Sequence, residues 1–158
     1  MKQKLEMDGK TAIKLYPTAA PEFKEMLEQT FGKEHFTQKI TDRVRGYLDV
    51  LDMCGVLSSD DDVRIKGFDD AENKMLQAVI QKIRICKVYR EGKTFKVGDK
   101  RWYCWYNVSS GFSFINSSCD NGGADTASAS RLSFDSEEKL MDFVKKFKDI
   151  DKAIIDLG

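Results

Sequence analysis

Residues 101–114 read Arg-Trp-Tyr-Cys-Trp-Tyr-Asn-Val-Ser-Ser-Gly-Phe-Ser-Phe and decide the fold class of this 158-residue chain. They contain both tryptophans among six aromatic residues, a composition typical of β-strands. Successive side chains of a strand point to opposite faces, so Trp102 and Tyr106 share one face and Trp105 lies on the other. Because aromatic residues at strand spacing are more often core than binding surface, the stretch predicts the centre of a small sheet.

The sheet around this segment is predicted to be an antiparallel meander of three to four strands. A short strand over 94–97 and a tight turn at 98–99 precede the long strand over 100–108. The chain then turns into a strand over 112–116, and a last strand is expected over 130–134. Small polar residues fill the 116–130 region between them, which predicts a long loop.

Three short helices are predicted before the sheet. Asp8 is placed to cap the first helix, which Pro17 ends because proline disfavours continuation. Pro21 suits the first position of a second helix, and Gly32 suits its end. A third helix is predicted over 41–54, with Gly55 as its stop.

Two longer amphipathic helices complete the predicted elements. The first begins at Asp69 or Asp70 and ends near Glu91, with apolar residues at helical spacing. The second follows a capping box formed by Asp135 and Glu138. The predicted fold class is α+β: N-terminal helices and one long central helix, a small antiparallel meander, and a C-terminal amphipathic helix packed on the sheet.

The chain is predicted to form a single domain over residues 1–158, because its length is that of one ordinary domain with a sufficient core. Within it we expect a helical N-terminal part over 1–57 and an acidic linker over 58–68. Residues 69–158 then supply the long helix, the meander and the C-terminal helix.

Composition argues against several functional classes. The cysteines form no CxxC pair and the chain has one histidine, so we expect no zinc site, no disulfide framework and no cofactor. No apolar run is long enough for a signal peptide or a membrane span. We therefore expect a cytoplasmic protein without a membrane partner. The four cysteines are Cys54, Cys86, Cys104 and Cys119.

The net charge of zero conceals two oppositely charged stretches. Residues 48–72 hold eight acidic and two basic residues, a net charge of −6, and residues 82–101 hold eight basic and two acidic residues, a net charge of +6. Two interpretations remain open. The stretches are solvated faces, partly explained by the helix dipole, or Lys87, Arg90 and Lys93 form a basic strip that meets phosphate or an acidic partner.

The candidate binding residues outside the basic strip are Arg131, Trp102 and Trp105. Arg131 follows the predicted polar loop, where a guanidinium suits a phosphate or carboxylate. A structural arginine that pairs with Asp135 or stacks on a tryptophan is the alternative. The tryptophans are candidates for base stacking, or for the core. No residue is predicted to be catalytic or to bind a metal.

Three blocks of the chain, at 15–33, 40–44 and 102–147, together resemble a family of small proteins of prophages and mobile elements in gut anaerobic bacteria. Members read Ser-Gly-Phe before a variable polar loop, as this chain does at 110–112. Gly-Ser-Arg-Leu-Cys-Phe-Lys-Ser then corresponds to Ala-Ser-Arg-Leu-Ser-Phe-Asp-Ser at 129–136. No activity is assigned to the family, so the resemblance implies a phage or mobile-element origin and no reaction.

The leading functional hypothesis is a non-enzymatic accessory protein of a phage or mobile element that binds another macromolecule, with a protein as the expected partner. The first alternative is a single-stranded nucleic-acid-binding protein that uses an aromatic sheet and the basic strip. The second is a small hydrolase or transferase that uses Cys119 and Arg131, for which a concave pocket with convergent titratable groups is expected.

Overall fold

The chain divides into two compact units, Met1–Lys39 and Ile40–Gly158. This division precedes the predicted end of the helical part at residue 57. Both units belong to a computed structural model in which we describe residues 7–96, 98–109, 111–120 and 131–155. The first unit is helical, and the second contains the sheet and both long helices.

The helices of the first unit begin and end where their caps predict. Asp8 accepts a hydrogen bond from the main-chain nitrogen of Thr11 at 3.0 Å, and Pro21 starts the second helix as predicted. Gly32 ends that helix with φ of +86°, a conformation that favours glycine. The helices are α1 (Gly9–Leu15), α2 (Pro21–Phe31) and α3 (Lys33–Thr37).

His35 has a structural role in the first unit. Its Nε2 lies 3.1 Å from the carbonyl oxygen of Gly9, and its ring packs against those of Phe31 and Phe36. A Cβ atom on Gly9 would lie 2.9 Å from His35 Nε2, so a side chain at that position would displace the His35 ring. The histidine therefore connects the start of α1 to α3.

Among the described residues, four α-helices shape the second unit, and the first two of them depart from prediction. They are α4 (Ile40–Arg43), α5 (Tyr47–Cys54), α6 (Asp70–Tyr89) and α7 (Glu137–Ile155). The single helix predicted over 41–54 is wrong, because side chains divide it. Asp49 accepts hydrogen bonds from the main-chain nitrogens of Arg45 and Gly46 at 2.9 and 3.3 Å, which starts α5 anew. Gly55 ends α5 in the left-handed conformation, as predicted.

Lys146 of α7 holds the end of α4. Its Nζ donates hydrogen bonds to the carbonyl oxygens of Thr41 and Val44, each at 2.6 Å, and lies 2.7 Å from Asp142 Oδ2. The last carbonyl groups of a helix have no partner within the helix, so the ammonium satisfies them. A helix of four residues is stable here because α7 supplies its cap.

The predicted start of α6 is confirmed, whereas the capping residue predicted for α7 is wrong. Asp69 and Glu72 form a capping box at α6, with both hydrogen bonds at 2.8 Å. At α7 the predicted box from Asp135 is wrong. The Asp135 carboxylate pairs with Lys139 Nζ at 3.0 Å. The hydroxyl of Ser136 accepts the hydrogen bond from the main-chain nitrogen of Lys139 instead.

Within the described residues the sheet has two antiparallel strands, β1 (Arg101–Asn107) and β2 (Ser113–Asp120). The predicted three to four strands are not confirmed. Residues 94–96 form no strand, and Val97 lies outside the described residues. Of the strand expected over 130–134, the described residues show one bridge, between Phe134 and Trp102. The register of β1 and β2 shifts opposite Trp105 and Tyr106, which leaves an extra residue in β2.

The strand β2 also takes part of the predicted loop. Residues 116–120 pair with β1, so the loop does not begin at Asn116. The remaining loop residues, 121–130, lie outside the described residues.

The core of the second unit lies between α6, α7 and the inner face of the sheet. Tyr89 of α6 meets Phe134 edge to face at a centroid distance of 5.8 Å, and Phe134 packs on Phe143 of α7 at 5.1 Å. Trp102 and Phe114 cover this cluster from the sheet. The C-terminal helix therefore packs on the sheet, as its apolar stripe predicts.

The predicted acidic linker is held against α6. Asp61 is buried, pairs with Arg84 and accepts a hydrogen bond from the hydroxyl of Tyr47 at 3.1 Å. The side chain of Gln77 accepts from the main-chain nitrogen of Val63 at 3.0 Å. Residues 61–63 therefore follow the surface of α6 through specific polar contacts.

Candidate functional site

The two tryptophans of β1 lie on opposite faces, as the alternation predicts, and these faces differ in exposure. Trp102 packs against the core, whereas Trp105 on the opposite face is 59% exposed. A sheet that stacks bases presents several rings on one open face. The two tryptophans do not share a face, so they form no common platform.

The described hairpin presents a small group of exposed apolar side chains. Trp105, Val108 and Ile115 are exposed by 59%, 56% and 59%, and we call them the hairpin patch. Arg101 is the one basic residue among the described residues of the hairpin, and it is buried. The patch is therefore apolar, and the described residues of the hairpin place no exposed basic side chain beside it.

The candidate basic residues differ in their exposure and in their contacts. Lys87 and Lys93 are exposed, whereas Arg90 donates from Nε to the carbonyl oxygen of Cys86 at 3.1 Å. The Arg90 guanidinium also lies 5.1 Å from the ring centre of Phe95, and that of Arg101 lies 5.2 Å from the same ring. Phe95 thus contacts two guanidiniums and lies outside the sheet.

Two further bases of the positive stretch point into the second unit. Lys82 pairs with Asp151, and Arg84 pairs with Asp61. The second pair joins the positive stretch to the acidic one. Part of the charge separation is therefore neutralised inside the fold, and Lys87 and Lys93 remain the exposed members of the predicted strip.

A buried polar cluster joins α6, α7 and β1, and sequence reasoning missed it. Asp151 is 2% exposed, pairs with Lys82 and accepts a hydrogen bond from the Tyr106 hydroxyl at 2.7 Å. Burial and the Asp151 carboxylate raise the pKa of Tyr106 above its usual range. The signal was an aspartate within the apolar stripe of α7, four residues after Phe147, where a buried charge needs a partner.

Arg131 is exposed in a turn that precedes Phe134. The predicted pairing with Asp135 is not formed, because Asp135 meets Lys139. Among the described residues no ion pair or ring contact of Arg131 is found. The structure therefore leaves its guanidinium at the surface, separate from Lys87 and Lys93 in the sequence and on another element.

The cysteines are free thiols that differ in burial. Burial raises the pKa of Cys86 to about 12 and that of Cys104 to about 11. Burial also raises the pKa of Cys54. Since the thiolate is the nucleophile, these residues are poor candidates for covalent catalysis. Cys119 is exposed on β2.

We expect Cys119 to react with N-ethylmaleimide about tenfold faster or more than the other thiols at neutral pH, because it is exposed while burial suppresses their ionisation. Peptide mass spectrometry after a short exposure would assign the modified residue. The Cys119→Ser variant should lose the fast phase, and Cys86 should react only after unfolding. Fast labelling of Cys86 in the folded protein would contradict this order.

A cavity of about 580 Å³ lies between residues 62–64, the first half of α6 and the end of α7. Its volume is within the range of ligand pockets. Neither Cys119 nor Arg131 lines it. The pocket expected for a hydrolase or transferase built on those residues is therefore not formed by this cavity.

The described residues contain no group of histidine, cysteine and acidic side chains that fits a metal ion. Among them there is also no helix whose length and hydropathy suit a bilayer crossing. No protein-family model, no curated protein and no solved structure matches the chain. The surfaces described above are therefore the basis for its functional assignment.

Proposed function

We propose that this protein is a non-enzymatic accessory protein of a phage or mobile element that acts in the cytoplasm by binding another protein. The observation that carries the proposal is the exposure of Trp105 on the outer face of β1. Tryptophan is among the residues that contribute most to protein interfaces when a partner buries it. The resemblance at 15–33, 40–44 and 102–147 supports the phage or mobile-element origin.

The composition of the hairpin favours a protein partner over a nucleic acid. Single-stranded nucleic acids bind where aromatic rings accompany a positively charged groove. Around Trp105 the described hairpin offers Val108 and Ile115, and its one basic residue, Arg101, is buried. An apolar centre with few charges is typical of the middle of a protein interface.

The Trp105→Ser variant tests the proposal. The tagged chain would first capture a partner from the lysate of a gut anaerobic bacterium, and mass spectrometry would identify it. The purified partner would then be titrated by calorimetry. We expect Trp105→Ser to weaken binding by about 2 kcal/mol or more, roughly thirtyfold in Kd, because a central interface tryptophan is lost.

Leu48→Ser is the matched control, because Leu48 is 72% exposed but belongs to α5. It should bind like the wild type. The variant with both Lys87→Glu and Lys93→Glu adds a second arm: an acidic partner should associate more slowly with it, and more so at low salt. Equal binding by Trp105→Ser and the wild type would show that the hairpin patch is not the binding surface. Quenching of the tryptophan fluorescence by an oligonucleotide would favour a nucleic-acid partner.

A further inference from the structure

The outer edge of β2, the edge remote from β1, carries main-chain groups with a defined direction. Trp102 exchanges two hydrogen bonds with Phe134, at 2.9 and 3.1 Å, so its main chain points away from β2. Trp102 lies opposite Cys119, and the two therefore form a non-hydrogen-bonded pair of the antiparallel ladder. The main chain of Cys119, and by alternation that of Ser117, points to the outer edge.

These groups lack main-chain partners within the described part of the chain. Neither Ser117 nor Cys119 makes a main-chain hydrogen bond there outside the hairpin. Natural edge strands are usually protected by proline, lysine or a short length, and β2 has eight residues without either residue type. The register shift lies before Asn116, so residues 116–120 offer an uninterrupted edge.

We propose that β2 pairs with β2 of a second copy of this chain, antiparallel and centred on Ser118, so that the two hairpins form one continuous four-stranded sheet. In this register Ser117 of one copy lies opposite Cys119 of the other, and the reverse pair forms by symmetry. Both pairs consist of residues whose main chains point outward. Each pair exchanges two hydrogen bonds, as an antiparallel ladder requires.

Charge and sheet size both favour a second copy as the occupant. The register pairs position 120, which holds the one charged residue in the sequence of β2, with Asn116 and not with a second Asp120. The chain has zero net charge, so two copies do not repel each other at long range. Joining the two hairpins gives a sheet of four strands, which is an ordinary size for a sheet.

A cross-linking experiment tests this register. Hydrogen-bonded pairs have Cα atoms about 5.5 Å apart, a separation compatible with a disulfide. Ser117→Cys would place its new thiol opposite Cys119 of the second copy. Oxidised glutathione takes up the two electrons and leaves as two molecules of glutathione. We expect about tenfold or more covalent dimer compared with Ser113→Cys, whose position has no counterpart within β2.

Hydrogen exchange gives a second measurement that needs no substitution. The amides of Ser117 and Cys119 should become protected as protein concentration rises, while that of Ser118, which faces β1, should not change. Sedimentation equilibrium should show a monomer and a dimer over the same range. A chain that stays monomeric, equal cross-linking of Ser113→Cys, or protection independent of concentration would each overturn the proposal, and the last would indicate that the edge is covered within one chain.

Discussion

Replacing Asp151 with alanine is expected to lower the free energy of unfolding by about 3–5 kcal/mol. The substitution leaves the ammonium of Lys82 nearly buried without its carboxylate partner, and breaking one side of a buried ion pair has a cost of that size. It also removes the acceptor of the Tyr106 hydroxyl. Urea unfolding at neutral pH, followed by circular dichroism, measures the loss.

Asp149→Ala is the matched control, because Asp149 lies on the same helix but is exposed. It should change the free energy of unfolding by less than about 0.5 kcal/mol. The double variant Lys82→Met with Asp151→Leu should be more stable than Asp151→Ala, since it leaves no unpaired charge. Equal losses for the Asp149 and Asp151 variants would show that the buried pair contributes nothing.

Alkaline pH is expected to destabilise the protein strongly. The pKa of Cys86 is raised from 9.0 to about 12, and burial also raises the pKa values of Tyr89 and Tyr106. The unfolded chain releases these protons at lower pH than the folded chain does. The stabilisation is therefore complete below about pH 9 and is lost as the pH rises, by ~1.4 kcal/mol per pH unit for each group.

For Cys86 alone the loss between pH 9 and pH 12 is about 4 kcal/mol. Urea unfolding under reducing conditions at a series of pH values measures the slope. Cys86→Ala should show a shallower decline above pH 9, whatever its stability at neutral pH, whereas Cys119→Ala should follow the wild type. A free energy of unfolding that is constant from pH 8 to pH 11 would refute the prediction.

Most helix boundaries could be predicted because they depend on local chemistry. Asp8 and Asp69 start helices by capping them with their side chains, Pro21 suits the first position of α2, and Gly55 stops α5 in the left-handed conformation. The prediction over 41–54 failed partly because the local cap by Asp49 was missed and partly because a distant residue holds the end of α4. The break between α4 and α5 depends partly on Lys146, about a hundred residues later in the chain, which no local pattern reveals.

For the sheet and the candidate site, too, the predictions held where local sequence decides and failed where distant contacts decide. The alternation in β1 correctly put Trp102 and Trp105 on opposite faces, but it could not show which of the two faces meets the core. No strand forms over 94–96, where Phe95 packs on two guanidiniums that local strand propensity does not reveal. The charge pattern could not show that Lys82 pairs with Asp151, since 69 residues separate them.

The cap that Lys146 provides has a consequence for synthesis on the ribosome. The carbonyl groups of Thr41 and Val44 leave the ribosome about a hundred residues before the ammonium that binds them. Throughout that interval the C-terminal end of α4 lacks the lysine that binds its carbonyl groups. Its structure is therefore completed only when almost the whole chain has been made.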